Sequence, residues 1–240
     1  MSKYAKATGQ FDKGVKGSVS LNFCLSGGKY CDTVCRQHPS NGGACYALRP
    51  QGLYPSMAAS LSAKEGVDPG DIAEQAIGEV KRKNKPIPWF RFSVAGSLPP
   101  RNQVTPKLRD KLVELVEWLR HNNVPIHMPV ESHSKAGYYQ GLLGDRVVVR
   151  LSVQNPEDFL TYEGPCSLVV GGGEKHRKGN SIMQQRIAAS RAVAKARRQL
   201  TGRATMVCPA IKGLRDKNKS KCGKCKACSM PHVDVVYPLH

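Results

Sequence analysis

Eight of the nine cysteines fall into two groups whose spacing is that of metal ligands. In the second group Cys222, Cys225 and Cys228 recur every third residue, so each tight turn aims the next sulfur at one centre, and Cys208 supplies a fourth ligand from farther back. The triple run leans towards a [4Fe–4S] cluster, because zinc ribbons usually pair two Cys-x2-Cys halves. Zinc is the alternative, since a four-cysteine zinc site uses the same ligands. The first group is Cys24, Cys31, Cys35 and Cys45, separated by Gly27, Gly28, Gly42 and Gly43, which let backbone amides approach a cluster's sulfurs. Two states are open here. Four ligating cysteines would fill the metal and make the centre structural or electron-carrying; three would leave one iron open to substrate or cofactor. Cys166 stands alone before an apolar run and reads as a core residue.

Charge supplies the second chemical signal. The chain of 240 residues carries 37 Lys and Arg against 18 Asp and Glu, a net charge of +19. Between Glu174 and Lys226 there are 16 basic residues and 2 acidic ones, so most of the excess is concentrated there. A block of one sign points to a polyanion, because each cation docked on a phosphate releases counterions. The expected nucleic-acid face comprises Lys175, Arg177, Lys178, Arg191, Lys195, Arg198, Lys217, Lys219 and Lys221. Whether the partner is DNA or RNA is open. No apolar run reaches the ~18 residues of a membrane span, and the first residues lack a secretion signal, so a cytoplasmic protein with no membrane partner is expected. Nine cysteines in that compartment argue for metal ligation over disulfides. The sequence sets no oligomeric state.

These groups need a scaffold, and the patterning predicts an α/β one. Leu108, Leu112, Leu115, Val116 and Leu119 follow a helical period, with Thr105 to cap and Pro106 at the first position, giving a helix from Pro106 to about Asn122. Asp71 and Glu74 form a capping-box signature for a helix from Ile72 to about Lys83. A long helix starts at Asn180 or Ser181 and stops at Gly202, and carries Arg191, Lys195 and Arg198 on one stripe. Strands are expected near Val19 to Phe23, Trp89 to Ala95, Ile126 to Val130, Val147 to Val153, Ser167 to Val170 and Thr205 to Val207. Strands alternating with helices imply about six β–α units and a mainly parallel sheet. Ligands in such sheets bind at the strands' carboxyl ends, where Cys24, Gly96, Ser97, Glu131, His133, Ser152, Gln154 and Cys208 would gather. Residues 1–207 would form the α/β body and 208–240 a cysteine-rich extension of the same compact unit.

Cys24-x6-Cys31-x3-Cys35, Cys45-Tyr46-Ala47, the run Arg91-Phe92-Ser93-Val94-Ala95-Gly96-Ser97, and Cys208-Pro209 with Cys222, Cys225 and Cys228 occur in that order. In this the chain resembles the phage and plasmid family called gene product 88, and more distantly the radical S-adenosylmethionine enzymes. The second resemblance implies a partial (β/α)6 barrel, a three-cysteine [4Fe–4S] cluster after the first strand, and S-adenosylmethionine as cofactor. It would put Gly96 against the cofactor's amino group and Ser152 or Gln154 against its carboxylate or ribose. The C-terminal cysteines would then hold an auxiliary cluster. The interval from Cys35 to Cys45 is longer than in the Cys-x3-Cys-x2-Cys of the radical enzymes.

Two classes of function follow. One is an iron–sulfur enzyme of a mobile element acting on a nucleic acid or nucleotide, with Glu131, His133 and Arg150 positioning the substrate. The other is a DNA- or RNA-binding protein whose centres are structural or sense redox state. Neither paired carboxylates nor a Ser-His-Asp order supports hydrolysis.

Overall fold

The computed structural model describes residues 5–7, 18–24, 28–31, 33, 59, 61–64, 66–93, 97–170, 180–209 and 225–238. Within them eight strands form one sheet in the order β1-β2-β3-β4-β5-β6-β8-β7. The strands are β1 (Ala5–Ala7), β2 (Val19–Leu21), β3 (Phe90–Phe92), β4 (Ile126–Val130), β5 (Val149–Val153), β6 (Cys166–Val170), β7 (Ala204–Val207) and β8 (Val233–Pro238). Only β1 runs antiparallel to its neighbour; β2 to β8 are parallel. The helices are α1 (Pro69–Lys81), α2 (Pro106–His121), α3 (His133–Leu143), α4 (Pro156–Thr161) and α5 (Asn180–Thr201). The expected α/β class with a mainly parallel sheet is therefore the observed one.

Local chemistry explains the helix ends. Thr105 accepts from the amide of Leu108 and Pro106 opens α2, as its sequence predicts. The α1 cap differs from expectation: Asp68, not Asp71, accepts from the amide of Gly70, and Pro69 takes the first turn. Asp71 and Glu74 instead pair with Lys107 on the helix surface. Gly202 ends α5 with φ of 67°, which its lack of a Cβ permits.

The register sorts each strand into two faces. Val19, Leu21, Phe90, Phe92, Ile126, Met128, Val130, Val149, Leu151, Cys166 and Leu168 share one face and join the apolar sides of all five helices in a single core. On α2 alone Leu108, Leu112, Leu115, Val116 and Leu119 are fully buried, each stabilising by roughly 1.5–3 kcal/mol. The opposite face is polar: Ser20, Arg91, His127, Arg150, Ser152 and Ser167 align across β2 to β6. A parallel sheet sandwiched between helix layers has apolar residues on both faces. Here the helices cover one face, because right-handed crossovers advancing in one direction from β2 to β6 all fall on the same side.

The C-terminal residues change the expected topology. From β7, at the sheet edge, the chain passes through residues 208–232 and returns as β8 between β6 and β7. The described end of this connection, residues 225–230, lies over the polar face, where Arg150 of β5 reaches the carbonyls of Ala227, Cys228 and Met230. The residues expected as a cysteine-rich extension, 208–240, thus include a strand of the sheet, β8.

Candidate functional site

The first site forms where β2, β3 and β4 end. Cys24 is the third residue after β2 and is fully buried. The turn that places Cys31 close by is set by the Cys31 amide donating to Gly28 O at 2.9 Å. The Cys31 thiol and the backbone amides of Ser97 and Tyr30 hydrogen-bond the Cys24 sulfur, and the Lys135 ammonium acts on it through its charge. The hydrogen bond with Cys31 is the largest influence. Against the cost of burial, these groups together pull the Cys24 thiol down to about 7.

Lys135 ties the site's walls together. Its side chain is 4% exposed, and Nζ donates to Tyr30 O at 2.8 Å and Ser97 Oγ at 3.0 Å and pairs with Glu131. Ser97 Oγ in turn donates to the Glu131 carboxylate, at 2.5 Å from Oε2. Glu131 directly follows β4, and Ser132 caps α3 so that Lys135 falls in its first turn. Opposite, the buried Lys64 donates to Asn22 O at 2.7 Å, fixing the strand end that leads to Cys24. Just past β3, Ser93 has φ of 53°, a left-handed conformation costing a residue with a Cβ about 1 kcal/mol.

The second site lies on the polar face. Arg150, fully buried on β5, reaches the segment from Cys225 to Met230: Nη2 donates to Met230 O at 3.0 Å and Ala227 O at 3.5 Å, and Nε to Cys228 O at 3.3 Å. Cys228 Sγ lies 2.8 Å from Tyr237 Oη on β8. The Cys208 amide donates to Val236 O at 2.8 Å, which holds Cys208 at the end of β7 beside β8. Burial pushes the Cys228 thiol up, opposed by Tyr237, Arg150 and Arg91. Burial and the neighbouring sulfurs of Cys228 and Cys208 hold the Tyr237 hydroxyl protonated well above its usual range.

Beneath this segment His127 is 5% exposed, and its Nε2 has no hydrogen-bond partner among the described residues. Burial, with Arg91 and Arg150 nearby, keeps its imidazole neutral. Behind the sheet, the fully buried Asp234 accepts from Arg197 Nε and Arg203 Nε at 2.9 Å each and from the Cys166 amide at 2.9 Å. Cys166 is a core residue, its thiol raised to about 12 by burial.

The structure brings Cys24 to Cys31, and sets Cys228 and Cys208 near Tyr237, with Cys225 near Cys228. Cys35, Cys45, Cys222, Gly96, Lys175, Arg177, Lys178, Lys217, Lys219 and Lys221 lie outside the described residues. Among the described residues, no group of three or more His, Cys, Asp or Glu is placed to hold a metal ion. The surroundings of Cys24 nevertheless suit a thiolate ligand, since amide donors and a buried ammonium stabilise an anionic sulfur. Ser152 lies on β5 and Gln154 just past it, two strands from β3. His133 packs edge-on against Tyr162 at 5.2 Å, and Arg150 is committed to backbone carbonyls. Arg191, Lys195 and Arg198 line one groove on α5.

Sequence reasoning passed over Lys135 and Tyr30. A signal for Lys135 exists: a lysine in a helix's first turn opposes the helix dipole and needs a nearby anion. No described helix is long and apolar enough to cross a membrane. No protein-family model, no curated protein and no solved structure matches the chain.

Proposed function

We propose that the chain is an iron–sulfur enzyme of the radical S-adenosylmethionine kind that acts on nucleic acid, with its reactive cluster on the N-terminal cysteines. The observation that carries this reading is the Cys24 environment: two backbone amides reach the sulfur at the carboxyl end of the first parallel strand, and the charge of the buried Lys135, bonded to Tyr30 O, favours its anion. In parallel α/β folds that end is where ligands bind. A cluster there would supply an electron for reductive cleavage of the cofactor.

The chain's own residues have separate tasks. Cys24 and Cys31 would be ligands, joined by Cys35 or Cys45. The Ser97 and Tyr30 amides orient the Cys24 sulfur, and Lys135 balances its charge while Glu131 and Ser97 hold the ammonium in place. Polar side chains of Ser152 and Gln154 offer hydrogen bonds to a cofactor. Cys208, Cys222, Cys225 and Cys228 would hold a second centre that fastens the β7–β8 crossover, with Arg150 clamping the segment to the sheet.

The test is to reduce anaerobically isolated protein and add S-adenosylmethionine. A change in the cluster's electron paramagnetic resonance signal and release of 5′-deoxyadenosine are expected. An iron-loaded protein showing neither would leave the binding protein, with its centres structural or redox-sensing, as the better account.

A further inference from the structure

A groove of about 540 Å³ runs between α5 and β7, lined by Arg191, Ala194, Lys195, Arg198, Met206 and Pro209 among others. Its composition is divided. The helix side presents cations, while Ala194, Met206, Val207 and Pro209 give the groove an apolar floor. No acidic residue occurs from Asn180 to Pro209, against six basic ones. Two of those six, Arg197 and Arg203, are engaged by Asp234. Arg191 and Lys195 are exposed.

We propose that this groove binds a single strand of nucleic acid, with phosphates on Arg191 and Lys195 and sugar or base faces on the apolar floor. The inference rests on the nucleic-acid reading above and gives it a place. From Arg191 to Arg198 the helix rises ~10 Å, about three nucleotides of one stacked strand at ~3.4 Å each. A duplex presents phosphates outwards and keeps its bases stacked inside, so the apolar floor would go unused. Positively charged grooves with faces for unpaired bases are the general solution for single strands.

The edge strand supports the same choice over an acidic peptide. A peptide adding to β7 would need the strand's outward backbone groups. Arg198 Nη2 already donates to Thr205 O at 2.7 Å, which caps that edge. Val207 and Pro209 both line the groove, so a strand bound there passes Cys208 and the start of the cysteine-rich crossover.

The experiment uses full-length, anaerobically isolated protein and a fluorescently labelled oligonucleotide of about 12 nucleotides, within the range of single-strand site sizes, followed by anisotropy at several salt concentrations. Wild type should bind the single strand more tightly than the matching duplex. Replacing Arg191→Gln and Lys195→Gln together removes two phosphate contacts, so the slope of log K against log salt should fall by about 1.4 and affinity near 0.1 M salt by about 25-fold. Lys195→Gln alone should lower the slope by about 0.7. The pair Lys83→Gln and Arg120→Gln, exposed cations away from the groove, should leave both values unchanged. Wild-type binding with an unchanged slope in the groove variants would overturn the groove and spare the nucleic-acid reading. Wild type that binds no oligonucleotide would overturn both. Equal affinity for duplex, or groove-dependent capture of polyglutamate in preference to the oligonucleotide, would overturn the choice of a single strand.

Discussion

At the carboxyl end of β2 the Cys24 thiol is pulled down to about 7, whereas on the polar face burial pushes the Cys228 thiol up. Cys24 is fully buried and Cys228 half-buried. They differ in what surrounds them. Cys24 receives two backbone amides and a second thiol, and faces an ammonium whose other partners are fixed. Cys228 has one tyrosine hydroxyl, and the nearby arginine is spent on carbonyls that hold the segment down. The comparison teaches that the surroundings of Cys24 favour an anionic sulfur without help from any bound group. The C-terminal site is arranged for attachment, and its buried thiol favours the neutral form.

The largest effect should come from the scaffold behind the C-terminal site. Asp234→Asn leaves the fully buried Arg197 without its carboxylate and should cost about 3–5 kcal/mol in urea denaturation. Alkylation of Cys24 should keep its pH midpoint, which separates the two regions. A loss under ~1 kcal/mol would mean that Asp234 does not anchor β8.

Cys31→Ala attacks the other side of the comparison. It removes the chief influence on Cys24, whose alkylation midpoint in metal-free protein should climb from about 7 towards the ordinary 9.0, while Cys228 is unaffected. Mass spectrometry of each peptide after timed alkylation reads both residues together. An unmoved Cys24 would assign its acidity to the amides and Lys135.

Acid should weaken the polar face. His127 is held neutral in the fold, so below the unfolded value near 6.5 the unfolded chain takes up a proton that the folded chain does not. Stability therefore falls with pH below that point, by at most ~1.4 kcal/mol per pH unit, until the buried imidazole itself protonates. His127→Gln should flatten this slope in denaturation series between pH 7 and about 5. The smallest effect belongs to Tyr237→Phe, which deletes one hydrogen bond to Cys228 and should cost about 1 kcal/mol without altering Cys24.

Much of the frame was legible because it is local. Thr105-Pro106 and the leucine period define α2, Gly202 stops α5, and β4 matches its expected span from Ile126 to Val130. The polar face could be read from alternation, since Arg91, His127 and Arg150 each occupy one side of a strand. Three features resisted for physical reasons. β8 contains Asp234 and Pro238, and its charge is tolerable only because Arg197 and Arg203, more than thirty residues away, pair with it. α3 carries Gly137 and Gly141 and shows little apolar stripe. Two aspartates near α1 offered caps, and Pro69 was the clue that favoured Asp68. At the candidate site the cysteines were visible by spacing. Lys135, Tyr30 and the Arg150 clamp were not, because each acts across long stretches of chain.

The central claim, that the cysteines ligate iron–sulfur centres at two separate places, is tested most directly by iron and acid-labile sulfide content. Anaerobically isolated wild type, Cys24→Ala and Cys228→Ala should be compared. Wild type should be brown and hold iron and sulfide in equal amounts, with about half of each lost in either variant if both centres are [4Fe–4S] clusters. A colourless wild type carrying only zinc, or full iron retained in Cys24→Ala, would contradict the account.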